Sequence, residues 1–169
     1  RRRSKQNRFG FAYGHGVWLI MGYTHYWTIF QEEIPDYMWQ NFAKDILRIY
    51  PQIKDVLDQT TDQKFDITGN HIIFNGIGEE GHETFSINTK NKMEESHTGR
   101  IEYFDFCKTA RKEYDIAVCC VLIIAKKHFA DIIRVASDGS EEDGWDNAKR
   151  LCQKVLKYGK SFDIESGEI

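Results

Sequence analysis

No stretch of this sequence is apolar for long enough to cross a bilayer. The longest such run, from Ile116 to Ala125, is about half of what a spanning helix needs, and "GVWLIM" near the start is shorter than a signal-peptide core. The chain also lacks a CxxC pair. No spacing among its four cysteines, Cys107, Cys119, Cys120 and Cys152, matches a zinc module, and the adjacent Cys119 and Cys120 cannot easily bond each other. Reduced thiols in a cytoplasmic protein are therefore expected, with neither a metal nor a cofactor implied by motif. Internal repeats and long low-complexity segments are missing too.

Acidic residues are absent from positions 1–20, which hold Arg1, Arg2, Arg3, Lys5 and Arg8. The whole chain of 169 residues carries a net charge of −3, so residues 21–169, with 18 basic against 26 acidic side chains, carry −8. An acidic body of this kind disfavours a broad nucleic-acid-binding surface. The basic start reads either as an arm for nucleic acid or acidic membrane, or as an added extension ahead of a true start at Met21. We take it as an extension, leaving residues 21–169 as a single domain.

What is present is a well-patterned α+β chain. "YTHYWTIF" (23–30) combines aromatic and β-branched residues and predicts a strand. Tyr23, His25, Trp27 and Ile29 alternate with Thr24, Tyr26, Thr28 and Phe30, and bulk on both faces predicts a central position. Pro35 suits a helix start, and Trp39, Phe42, Ala43, Ile46 and Ile49 recur at helical spacing. Pro51 is expected to kink or restart that helix. "NHIIFN" and "HETFSIN" flank a glycine-rich segment and predict a hairpin entered through Asn75-Gly76. Residues 89–103 are polar and read as a surface excursion. A buried helix is expected over about 114–129, a strand over 132–137, and a final helix capped by Ser140 or Asp143 and stopped by Gly159.

The order strand, helix, strand, strand, helix, strand matches the ferredoxin-like (split βαβ) pattern: an antiparallel sheet with helices on one face, here with one added C-terminal helix. In that topology three remote segments converge at one sheet edge: residues 22–25, Cys107 to Asp115, and Ser137 to Gly139. Lys108, Arg111 and Lys112 then stand near the amino end of the buried helix, where unpaired N–H groups favour anions. Arg grips two oxygens at once, and Lys supplies a point charge. The expected pocket is lined by His25, Cys107, Lys108, Arg111, Ser137 and Asp138, and a nucleotide or other phosphorylated metabolite suits it.

Plainer roles compete for each residue. Lys108 and Arg111 are equally suited to pairing with Asp105, Asp115 or Asp138. Asp115 reads as a helix-start residue and Asp138-Gly139 as a turn. Cys107 is either a small semi-buried side chain or a nucleophile with His25 as its base, and its spacing to Arg111 does not fit a phosphatase loop. The acidic "GIGEEGHE" turn offers His82 and Glu83, but neighbours on a strand face opposite ways, so a metal is not expected there.

"MGYTHYW", "FNG", "ETF", "FCKTARKEYD" and "SDG" followed by a Trp-containing helix resemble an uncharacterised family of small microbial and phage-type proteins, from Met21 to about Leu151. That resemblance implies no activity, cofactor or catalytic residue. Two functional classes remain beside the anion-binding domain. One is a non-catalytic interaction module, pairing as a homo-oligomer through sheet edges or an open sheet face. The less favoured one is a single-strand nucleic-acid binder.

Overall fold

The structure is a computed structural model, and it describes residues 23–139, 144–164 and 166–169. The basic start, Met21, and the proposed caps Ser140 and Asp143 lie outside the described residues.

The aromatic stretch forms β1 (Thr24–Ile29), and it is central. It leads into α1 (Asp36–Ile53), whose Trp39, Phe42, Ile46, Ile49 and Ile53 make one buried stripe at 3.6-residue spacing. Pro35 stands immediately before the helix, where its missing N–H has no intrahelical partner to lose. Pro51 neither breaks nor restarts α1, which runs through it to Ile53. It falls in the last turn, where only one backbone bond is forfeited while the apolar stripe continues.

β2 (Asp66–Ile67), β3 (His71–Phe74) and β4 (Phe85–Asn88) form a small antiparallel sheet of their own. Asn75-Gly76 is not a tight turn. Asn75 organises a ten-residue connection instead: its carbonyl oxygen accepts from Gly76 and His82 N–H, and its amide donates to Gln63, His82 and Thr84.

The third strand of the main sheet is not the one expected from the sequence. "HETFSIN" pairs with β3, and the strand that pairs with β1 is β6 (Ile101–Lys108), preceded by the two-residue β5 (Glu94–Glu95). The polar excursion thus ends in a strand. In "IEYFDFCK", Tyr103, Asp105 and Cys107 face the core while Glu102, Phe104 and Phe106 face outward. After β6 come α2 (Asp115–Phe129), β7 (Ile133–Ser137) and α3 (Asp146–Leu156). The four-stranded sheet has the order β5-β6-β1-β7, and every pairing is antiparallel.

Helices α1, α2 and α3 pack on one another, and one hydrophobic core joins them to both sheets. α2 is its axis. Every residue from Ala117 to Ala125 is buried, and each large apolar side chain there contributes about 2 kcal/mol by leaving water. Trp27 of β1 meets Phe85 of β4 at 4.9 Å between ring centroids, which ties the two sheets together. The opposite face of the main sheet is open: Phe104 and Phe106 are 56% and 48% exposed beside Tyr26. None of the described helices is long and apolar enough to cross a membrane.

Candidate functional site

The register of the main sheet gathers the three predicted segments at one rim. His25 lies opposite Cys107 on β6 and opposite Ser137 on β7, and Thr24 lies opposite Lys108. Backbone bonds lock the rim: Thr109 and Ala110 N–H donate to the Tyr23 carbonyl, and Asp138 N–H donates to the Thr24 carbonyl.

Beneath this rim is a buried polar cluster. Strand alternation turns His25 toward α2, and it is fully buried. Its Nε2 donates to Asp115 Oδ1 at 2.7 Å, while its Nδ1 meets Ser137 Oγ at 3.0 Å. Ser137 Oγ in turn accepts from Gly139 N–H. Asp115, in the first turn of α2, also accepts from Thr109 Oγ1 at 2.5 Å. One helical turn later, Cys119 places its sulfur 3.7 Å from Asp115 Oδ2 and 3.6 Å from His25 Nε2. Burial first, then the Asp115 charge, pushes the Cys119 thiol well above its ordinary pKa. Tyr23 and Trp145 stand edge-on to the His25 ring at 5.0 and 5.1 Å and seal it from two sides.

Asp115 also forms one wall of a cleft of about 300 Å³ lined by Arg111, Lys112, Ile116, Gly144 and Asn147. Arg111 is placed by an unusual turn. Ala110 and Arg111 both have left-handed backbone, with φ of 51° and 60°, a conformation that side chains disfavour. The turn lays the guanidinium over the Tyr23 ring, 4.3 Å from its centroid. Lys112 Nζ donates to the Glu79 carbonyl at 2.9 Å, bridging the cleft to the β3–β4 connection. Two glycines shape this corner. A Cβ on Gly139 would overlap the Tyr23 ring, and one on Gly144 (φ 110°) would sit 3.0 Å from Asp115 Oδ2.

The six residues singled out in the sequence have different fates. His25 and Ser137 belong to the buried cluster, and Arg111 lines the cleft. Asp138 accepts from Tyr26 Oη at 3.0 Å on the outer side of the sheet. Lys108 is bound through its backbone N–H to Glu83, and its side chain shares the Thr24 face, away from His25. Cys107 is the cross-strand partner of His25, but its thiol makes its polar contacts elsewhere: it donates to the Glu83 carbonyl and lies 3.8 Å from Tyr114 Oη. Burial pushes that thiol up to about 12, the opposite of nucleophile activation. The thiol beside His25 is Cys119. Sequence reasoning missed Cys119 and Thr109 and read Asp115 as a helix start or a partner for Lys108 and Arg111, not as the partner of His25. The available signal was the four-residue spacing of Asp115 and Cys119, which puts both on one helix face.

A larger cleft of about 720 Å³ lies between α1 and the β2–β3 turn, lined by Trp39, Ala43, Leu47 and Ile67 with Lys44 and Arg48 at its margin. Among the described residues it brings no carboxylate, thiol or imidazole together, so its size does not make it the chemical centre.

Comparison with known proteins finds no matching family model, no similar curated protein and no similar solved structure.

Proposed function

We propose that the rim cleft binds a small molecule bearing both an anionic group and a hydrogen-bond donor, such as a nucleotide or a phosphorylated metabolite. The observation that supports it most is the composition of the cleft wall. Asp115 and Asn147 are first-turn residues of α2 and α3, so the amino ends of two helices meet where Arg111 and Lys112 contribute cations. Helix amino ends and cations both favour an anion. Asp115 repels a bare anion but accepts from a ligand amine, hydroxyl or base edge, which favours a bifunctional ligand. A volume near 300 Å³ suits one such group rather than a dinucleotide.

The same reading takes the main sheet as split βαβ, running β1–α1–β5–β6–α2–β7 with β2–β4 inserted. The order β5-β6-β1-β7, with β1 antiparallel to both neighbours, supports this assignment. Thermal shift against inorganic phosphate, nucleoside monophosphates and sugar phosphates tests the binding. At least one bifunctional ligand should raise Tm, and Arg111→Ala and Lys112→Ala should each weaken the response about tenfold. Silence across the panel, or an undiminished response in both variants, would sink the proposal.

The open sheet face favours a second reading, a stacking platform for single-stranded nucleic acid. Tyr26 stacks against Phe104 at 6.1 Å with 21° between the rings, Phe106 lies alongside, and exposed Arg134 is on the same face. Aromatic rings on adjacent central strands of such a sheet stack bases. Fluorescence titration with single-stranded oligonucleotides tests this reading. Salt-sensitive binding lost in Phe104→Ala/Phe106→Ala supports it, and concentration-dependent self-association lost in the same variant points to a homo-oligomer contact instead.

A further inference from the structure

We propose that His25, Asp115 and Cys119 form a binding site for a transition-metal dication of the zinc or cobalt type. Their donor atoms, Nε2, a carboxylate oxygen and Sγ, all lie within 4.8 Å of one another in a buried pocket. This proposal shares Asp115 with the anion reading but does not depend on it.

Two edges of the triangle already have metal-site dimensions. Zinc–sulfur and zinc–nitrogen bonds of about 2.3 and 2.0 Å at a tetrahedral angle place sulfur and nitrogen roughly 3.6 Å apart. The observed Sγ to Nε2 and Sγ to Oδ2 separations are 3.6 and 3.7 Å. The 2.7 Å contact from His25 Nε2 is to the other carboxylate oxygen, Oδ1, so this hydrogen bond must give way, and its proton leave Nε2, as an ion enters between Nε2, Oδ2 and Sγ. Thr109, already bonded to Asp115, then keeps the carboxylate oriented.

The surroundings carry a second, separate indication. A ligating histidine normally commits its other ring nitrogen to an oxygen, which fixes the ring and frees one nitrogen for the metal. Ser137 Oγ, 3.0 Å from His25 Nδ1, is placed to do this once the ring proton has moved from Nε2, where it is donated to Asp115, to Nδ1. With Nε2 coordinated, Nδ1 carries the proton and donates it to Ser137. Gly144 has no side chain to cover Asp115 Oδ2, which a Cβ there would approach to 3.0 Å, and both residues line the cleft. One nitrogen, one oxygen and one sulfur form a borderline-soft set that suits zinc or cobalt and disfavours magnesium and calcium. Three protein donors leave a fourth position for water or a ligand, the pattern of an open rather than a closed zinc site.

The full chain, stripped with chelator and titrated with Co²⁺ at neutral pH, tests this. The expected result is one Co²⁺ per chain, intense visible bands of a tetrahedral site and a near-ultraviolet thiolate-to-cobalt band. Cys119→Ser should abolish the near-ultraviolet band, Cys107→Ser should keep it, and Ser137→Ala should weaken binding about tenfold. Because Cys119→Ser could fail to fold, X-ray absorption on the Zn²⁺-loaded unmodified chain provides a variant-free reading, with one sulfur and otherwise nitrogen and oxygen scatterers expected. No tetrahedral spectrum, a near-ultraviolet band unchanged in Cys119→Ser, or a zinc shell with no sulfur or with several would overturn the proposal.

Discussion

Among the described residues, two buried carboxylates each hold a histidine, and they are built differently. Asp45 of α1 accepts from Arg48, His128 and Tyr158, each at 2.8 Å, and so joins α1 to the end of α2 and the C-terminal segment. Its burial alone would raise its pKa, but the bonds from His128, Tyr158 and Arg48 outweigh that and hold it below the ordinary value. Asp115 accepts from His25 and Thr109, has a thiol as its third neighbour, and forms a cleft wall. Asp45 is held by three strong donors, one of them a permanent cation, and lines neither of the clefts described above. Asp115 is held by weaker or exchangeable partners and opens toward a cavity. A buried carboxylate–histidine pair is therefore not a signature of chemistry by itself; what surrounds its remaining lone pairs decides.

The sharpest way to break this contrast is a matched pair of variants. Asp115→Asn should cost roughly 100-fold or more in Co²⁺ affinity. The same change should strengthen phosphate binding in the cleft by roughly threefold to tenfold, because a like charge has been removed. Asp45→Asn should leave both titrations unchanged. Equal loss of metal response in the two variants would erase the distinction. Next in size, Gly139→Ala forces the Tyr23 ring away from His25 and Arg111 and should lower stability by about 3 kcal/mol in denaturant unfolding.

Asp45→Asn should cost about 2 kcal/mol at neutral pH. The sign follows from the lowered folded-state pKa. The ionised Asp45 contributes stability above the ordinary carboxylate value of 3.8, and that contribution is lost as the pH falls below it. The gap between wild type and Asp45→Asn, measured by urea unfolding across acidic pH, should therefore close as acid is added. A gap constant with pH would show that shape rather than charge is at stake. The smallest effect concerns the thiols: all four are buried, and Cys107 is pushed up to about 12. Alkylation at neutral pH should be slow in the folded chain and complete within minutes in denaturant, read by mass spectrometry.

Much of the frame was legible before any coordinates. The two-sided bulk of residues 23–30 announced a central strand, the unbroken apolar run announced α2, and strand order implied that His25, residues 107–115 and Ser137 would meet. What misled was local polarity. Residues 101–108 alternate faithfully, but one of their faces is solvent-exposed and the other carries Asp105. Their strand character was therefore weaker than that of 85–88, which is buried but belongs to the other sheet. At the rim, the cations were visible as sequence while their directions were not. Lys108 falls one residue out of phase with His25, and the left-handed turn at Ala110 and Arg111 has no glycine to announce it. Cys119 was hidden in a run of apolar residues, where a thiol is indistinguishable from filler until the carboxylate one turn earlier is known to point the same way.

That glycine-free turn bears on how this corner evolved. Two successive side-chain-bearing residues in a left-handed bend are costlier than glycine would be, by about 1 kcal/mol each. The chain thus carries local strain that glycine would relieve, and at this strained turn a guanidinium sits on an aromatic ring. If the proposed anion site is correct, an Arg111→Gly protein should be no less robust to heat than its parent while losing its response to phosphate, placing usefulness and durability in open competition at a single residue.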